Sequence, residues 1–234
     1  MAKGPLVVRW GDWTLSAPQA GALGHAEATV ENAGTVTWSA GVKIAYHWLD
    51  DRDNPIVWDG ERTALPALAP GESAKVTAEF RAPIPPGQYR FALDLVAERR
   101  AWFSELGSEM VTVDVEVAPR TGERHVFLPD WVEPAADWEE RVSSAHAEGY
   151  AIVAGAIRWD GGRLGRRPRA LVPYEPGPGR VPAFSQALLC PSVLDGVELE
   201  RLADVDGLPA FAAPAPHTEP WIYDGRVILN ARPH

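Results

Sequence analysis

The sequence predicts an all-β antiparallel sandwich followed by a small α/β domain. Three observations lead there. Short segments of alternating apolar and polar residues, cut by Pro/Gly turns roughly every eight to twelve residues, fill the first half. One amphipathic helix is expected over residues 136–148 of the second half. A continuous apolar run, Tyr150 to Ile157, follows it, as a strand covered on both faces would.

The first half is read over residues 6–118. Leu6-Val7-Val8-Arg9-Trp10 is a short apolar strand, and Trp13-Thr14-Leu15 a second. His25 to Val30 alternates with period two and ends at the turn Asn32-Ala33-Gly34. Val36-Thr37-Trp38 follows. In Val42 to Leu49, the residues Val42, Ile44, Tyr46 and Trp48 share one face, and Lys43 and His47 the other. Asp50 to Asn54 is a polar hairpin loop returning through Ile56-Val57-Trp58. The turn Leu68-Ala69-Pro70-Gly71-Glu72 precedes a strand at 74–80, Pro83-Ile84-Pro85-Pro86-Gly87 is the turn before a strand at 89–96, and Trp102-Phe103 and 111–117 complete the set of strands. A sandwich core needs inward side chains from two facing sheets. The expected inward set is Val30, Ile44, Tyr46, Trp48, Val76, Phe80, Tyr89, Phe91, Leu93, Val113 and Val115.

With 22 Pro and 21 Gly, helices and interior strands are kept short. One cysteine, Cys190, excludes an intramolecular disulfide, so the 10 Trp must supply core bulk. The net charge of -10 argues against nucleic acid as a partner. No apolar run is long enough for a transmembrane helix, and no apolar stretch follows Met1-Ala2-Lys3-Gly4-Pro5. No membrane partner and a cytoplasmic location are therefore expected.

An ordered set of motifs carries a resemblance across residues 10–118. They are Asn32, Gly34 and Trp38, Tyr46-His47-Trp48, Val57-Trp58-Asp59-Gly60, Leu68-Ala69-Pro70-Gly71, Pro86-Gly87-Gln88-Tyr89-Arg90, Leu93-Asp94-Leu95 and Trp102-Phe103. The stretch resembles an immunoglobulin-like domain, most similar to the central domain of the Next to BRCA1 protein and its bacterial relatives. The resemblance implies an immunoglobulin-like sandwich. Similar bacterial modules are often appended to enzymes acting on carbohydrates or to glycosyltransferases. Fold alone does not assign a function. Trp38, Trp58 and Trp102 read either as core or edge packing or as an aromatic platform for a sugar ring or a partner protein, with Asp59 and Glu98 as polar partners for such a ligand; Trp58 and Trp102 are the candidate binding residues.

Residues 1–118 are thus one expected domain, 119–124 a linker, and 125–234 the α/β domain. His125-Val126-Phe127-Leu128 is a strand, expected to pair in parallel with Tyr150–Ile157. In the helix, Trp138, Val142 and Ala145 form the buried stripe, His146 lies at its boundary, and Gly149 caps its end. Residues 193–202 read as a second, short helix. The order of residues 125–190 also faintly resembles part of a family-two glycosyltransferase. It lacks that family's paired acids and its nucleotide-binding half, so the resemblance implies a remnant without sugar-nucleotide chemistry.

No complete catalytic signature is present, and no catalytic residue, metal ligand or cofactor is assigned. Cys190 follows an apolar run, as an inert buried thiol does. The histidines lack metal-ligand spacing. Arg163 to Arg169 is a basic run in an acidic chain, suited to a solvated loop or to a phosphate or carboxylate. Asp130, Arg166, Tyr174 and His217 are candidate binding residues, because polar groups gather in loops at strand ends. The leading class is a non-catalytic binding or accessory protein recognising a protein or small molecule. A small enzyme, with its site in the second half or between the domains, is the second class, and a structural assembly protein the third. The sequence leaves the stoichiometry open and allows a homodimer.

Overall fold

The computed structural model describes residues 4–128, 132–159, 170–171, 187–189, 191–197, 199–201, 210–212 and 219–231. They divide into two units, Met1–Ala118 and Pro119–His234.

The first unit runs β1 (Val8–Leu15), β2 (Leu23–Asn32), β3 (Val42–Leu49), β4 (Pro55–Val57), β5 (Arg62–Ala64), β6 (Ser73–Arg81), β7 (Gly87–Ala97), β8 (Ala101–Trp102) and β9 (Val111–Val117). One sheet has the order β1-β2-β6. The other has the order β4-β3-β7-β8, with β5 also on β3 and β9 also on β7. All these pairings are antiparallel. The stretches read as two strands at 6–10 and 13–15 are a single strand, β1, with a register shift between Trp10 and Trp13. Trp38 makes only an isolated bridge to Leu68.

The core lies between the two sheets. Every residue of the expected inward set is in it or packs against it. Trp38 and Trp48 are fully buried there, so two of the ten indoles supply the bulk that a disulfide gives other sandwiches. Phe80 and Phe91 pack against each other and against both Trp48 and Tyr46, at 5.0–6.3 Å between ring centres. Trp48 Nε1–H donates to the Arg81 carbonyl at 2.9 Å, so this buried donor is satisfied.

Asn32 explains the Asn-Ala-Gly motif. Its buried side-chain amide donates to the carbonyls of Val36 and Leu68, at 2.9 and 2.7 Å, and its Oδ1 accepts from Gly34 N–H at 3.0 Å. Gly34 is required by packing, since a Cβ there would lie 2.3 Å from the Pro5 carbonyl oxygen.

The second unit runs β10 (Arg124–Val126), β11 (Val132–Pro134), α1 (Trp138–Glu148), β12 (Ile152–Trp159), β13 (Ala170–Leu171), β14 (Ala187–Leu189), β15 (Ser192–Leu194), β16 (Glu200–Arg201), β17 (Ala210–Ala212) and β18 (Trp221–Ala231). Its main sheet has the order β10-β15-β12-β18-β11, with β13 also on β12, and β14, β17 and β16 form a second sheet. Among the described residues this unit is mainly β, and the α/β expectation rests on α1 alone. Trp138, Val142 and Ala145 are its buried stripe, as the helical spacing predicts.

Three expectations are corrected here. β12 does pair in parallel, but with β18; β15 stands between it and β10. Residues 193–202 hold no helix where described: β15 ends in a turn at Gly196, whose φ is +80°, and Glu200–Arg201 is a strand. His146 is not at a boundary. It is buried, with Nδ1–H donating to the Tyr150 carbonyl at 2.8 Å and Nε2 accepting from Ser192 Oγ–H at 2.9 Å. The polar pair thus joins α1 to β15. An i, i+3/i+4 stripe widens by one residue when a neighbouring strand offers a hydroxyl at the right place.

Candidate functional site

The outward face of the sheet built on β3 and β7 carries the candidate site. Strand alternation puts Ile44, Tyr46 and Trp48 into the core and leaves His47 on the opposite face. On β7 the same rule turns Phe91, Leu93 and Leu95 inward and Ala92 and Asp94 outward. An outward position in a sandwich is usually wet. Here Ala45, His47, Ala92 and Asp94 are all 0% exposed. Lys43 and His47 do share this face, as the period-two reading expects, and Trp58 and Trp102 fold over His47 and cover it.

The imidazole of His47 stacks on Trp58, with centres 4.2 Å apart and planes at 18°. Trp102 meets the imidazole edge-on at 4.7 Å and Trp58 at 6.2 Å, at 64° and 68°. His47 Nδ1–H donates to the Trp58 carbonyl. The backbone after Trp58 is held as well. Gly60 N–H donates to the Tyr46 carbonyl at 3.2 Å, and a Cβ on Gly60 would lie 2.6 Å from that oxygen. Only glycine allows so close an approach, and that approach swings Trp58 back across β3.

Beneath the rings lies Asp94. Its Oδ1 accepts from Leu95 N–H at 2.7 Å and its Oδ2 from Ser104 N–H at 3.4 Å. Asp94 Oδ2 is 3.9 Å from His47 Nε2, which has no hydrogen-bond partner. Around the rings is a charged rim. Arg62 sits over the Trp102 ring at 5.8 Å and pairs with Asp59 at 2.8 Å and Glu98 at 3.5 Å. Lys43 pairs with Glu98 at 3.2 Å. Asp59 and Glu98, expected from sequence as polar partners for a ligand, are both engaged in this rim.

Trp58 remains 39% exposed although one of its faces is covered by His47. Ile56, on β4, is also exposed. The arrangement presents a large apolar ring in a fixed plane, ringed by ion pairs. A fixed, half-exposed aromatic ring of this kind is a surface suited to binding. Among the described residues no group of three or more His, Cys, Asp or Glu is placed to hold a metal ion, and no helix is long and apolar enough to cross a membrane.

Of the sequence-predicted site residues, Trp58 and Trp102 come together. Asp130, Arg166, Tyr174 and His217 lie outside the described residues, as do Cys190 and the basic run 163–169. His47 and Asp94 were missed as members of the site. The signal available for them was their place within Tyr46-His47-Trp48 and Leu93-Asp94-Leu95, where polar residues sit between core positions on central strands.

Residues 28–117 match the family model described as the Ig-like domain from next to BRCA1 gene. The first unit is therefore an immunoglobulin-like sandwich. No curated protein matches the chain. Among solved structures it is similar to a β-glucosidase from Listeria innocua, with 18% identity and a TM-score of 0.32 over 48% of this chain and 16% of that one. It is also similar to the C-terminal domain of wzt, with 8% identity and a TM-score of 0.35 over 52% of this chain and 78% of that one. A third is the CARDB domain of PF1109 from Pyrococcus furiosus, with 17% identity and a TM-score of 0.31 over 50% and 96%. The chain spans about a sixth of the β-glucosidase it overlaps.

Proposed function

We propose that this protein is a non-catalytic accessory protein whose first unit docks a partner protein on the Trp58–Trp102 face. The observation that supports this is the fixing of Trp58. An exposed indole in free rotation gives up conformational entropy on binding; one already stacked on His47 and tied through its carbonyl gives up little. Protein interfaces concentrate their energy in such aromatic anchors, with a charged rim excluding water. Arg62, Asp59, Glu98 and Lys43 form a rim of that kind.

The test is affinity capture with the full chain, comparing the wild type with Trp58→Ala, Trp102→Ala and Lys75→Ala. Lys75 is an exposed residue on β6, in the other sheet. The reading predicts one partner lost with both tryptophan variants and kept with Lys75→Ala, all three retaining the wild-type circular dichroism. A partner kept by folded Trp58→Ala and Trp102→Ala would overturn it.

A further inference from the structure

The second unit holds a feature that the binding role of the first does not use. A pocket of about 410 Å³ lies between the segment 120–124 and α1. Arg120, Arg124, Ser143 and His146 line it. The segment was read from sequence as a polar linker, but it packs on the helix. Arg120 N–H donates to the Ala147 carbonyl at 3.2 Å, and its Nη1 to the Gly149 carbonyl at 3.4 Å. Its charge thereby offsets the negative carbonyl end of α1. Its Nη2 lies 3.2 Å from Glu219.

Arg124 is the second cation. Its Nη1 donates to Ser143 Oγ at 3.0 Å, and its Nη2 to Glu139. Glu139 and Ser143 are one helical turn apart on α1, so the guanidinium lies along the helix with both groups in reach. The two ends of this contact differ. Arg124 is three-quarters buried, whereas the Glu139 side chain is 63% exposed. An ion pair whose acid is mostly in water holds weakly and can be exchanged for another anion.

We propose that this pocket is an oxyanion site, taking a phosphate, sulfate or phosphoryl group on Arg124 in the place now held by the Glu139 carboxylate. Arg120, already paired with Glu219, borders the site, and the Ser143 hydroxyl supplies a further hydrogen bond. A guanidinium offers two parallel N–H donors to such an ion, a better match than the single contact with Glu139. The His146 imidazole forms one wall and is not a ligand, because both its nitrogens are already bonded to Tyr150 and Ser192. Burial lowers its pKa, the hydrogen bond to Tyr150 opposes this, and Arg124 and Arg120 lower it further.

The test is titration of the full chain with sulfate and with inorganic phosphate, followed by nuclear magnetic resonance shifts of the α1 amides. Saturable shifts at residues 139–147 are expected. Glu139→Ala removes the internal competitor and should tighten sulfate binding about fivefold. Arg124→Ala should weaken it about tenfold or more. A comparison of phenyl phosphate with inorganic phosphate assigns the source. Tighter binding of the ester points to a phosphoryl group on a larger molecule, equal binding to the free ion. Glu139→Ala does not depend on keeping Arg124 folded in place, so it stays decisive if Arg124→Ala is poorly folded. Shifts that do not saturate, or sulfate affinity unchanged in folded Glu139→Ala, would overturn the proposal.

Discussion

The imidazole of His47 lies nearly parallel to the indole of Trp58, 4.2 Å between centres, while its Nδ1–H donates to the same tryptophan's carbonyl. One buried side chain thus fixes both the ring and the backbone of one exposed residue. Everything proposed for the first unit follows from that double attachment.

Replacing Trp58 with alanine removes the stack and uncovers His47 and Asp94, but it leaves the inter-sheet core untouched. The expected cost is about 1–3 kcal/mol, from one or two aromatic pairs and part of the ring's burial. The variant should still fold cooperatively in a urea titration. Loss of the transition would mean that Trp58 is a core residue and not a contact residue.

Gly60→Ala should cost about as much without removing any contact atom. The new Cβ is forced against the Tyr46 carbonyl, which belongs to a central strand and cannot move away. A loss of about 1–3 kcal/mol is expected, together with a red-shifted tryptophan emission as Trp58 lifts from His47. Wild-type emission and stability in this variant would show that the loop does not need the close approach.

Asn32→Ala should destabilise the first unit by about 2–4 kcal/mol, because three backbone groups lose their partner in a buried place. Asn32→Asp is the sharper comparison. The carboxylate still accepts from Gly34 N–H but cannot donate to Val36 and Leu68, so it should be no better than alanine. Urea midpoints for the two variants decide the point.

The second unit should lose stability on mild acidification. His146 is held below its ordinary pKa chiefly by burial. The unfolded chain, with a histidine near the usual value of about 6.5, then takes up the proton first as pH falls. The contribution is fully present above that value and is lost as pH drops through it toward the folded-state pKa. The lowered carboxyls of Asp137 and Asp224 titrate below the usual carboxylate value, well apart from this window. Unfolding of the second unit, followed by hydrogen exchange at β12 and β15 between about pH 7.5 and 5.5, should show the slope, and His146→Gln should flatten it.

Much of the first unit was legible from alternation alone. Val42 to Leu49 and Tyr89 to Val96 state their inward faces, because a one-residue slip would drive Lys43, Arg90 and Asp94 between the two sheets in place of Ile44, Phe91 and Leu93. Alternation says which face a residue lies on but not what folds over that face. The cover over His47 comes from Trp58 and Trp102, and the backbone after Trp58 depends on Gly60, none of which alternation states. In the second unit the helix was legible from its apolar stripe. The partner of β12 was not, since an apolar strand carries no mark distinguishing a parallel neighbour from an antiparallel one, and β18 lies far along the chain. Residues 193–202 had helical spacing, yet Gly196 at positive φ ends the segment in a turn.

The rigidity of Trp58 is the central claim, and nuclear magnetic resonance relaxation of its indole Nε1–H measures it directly. The account predicts an order parameter like that of rigid backbone, about 0.85, falling below about 0.6 in His47→Ala. An indole already below about 0.6 in the wild-type protein would contradict it.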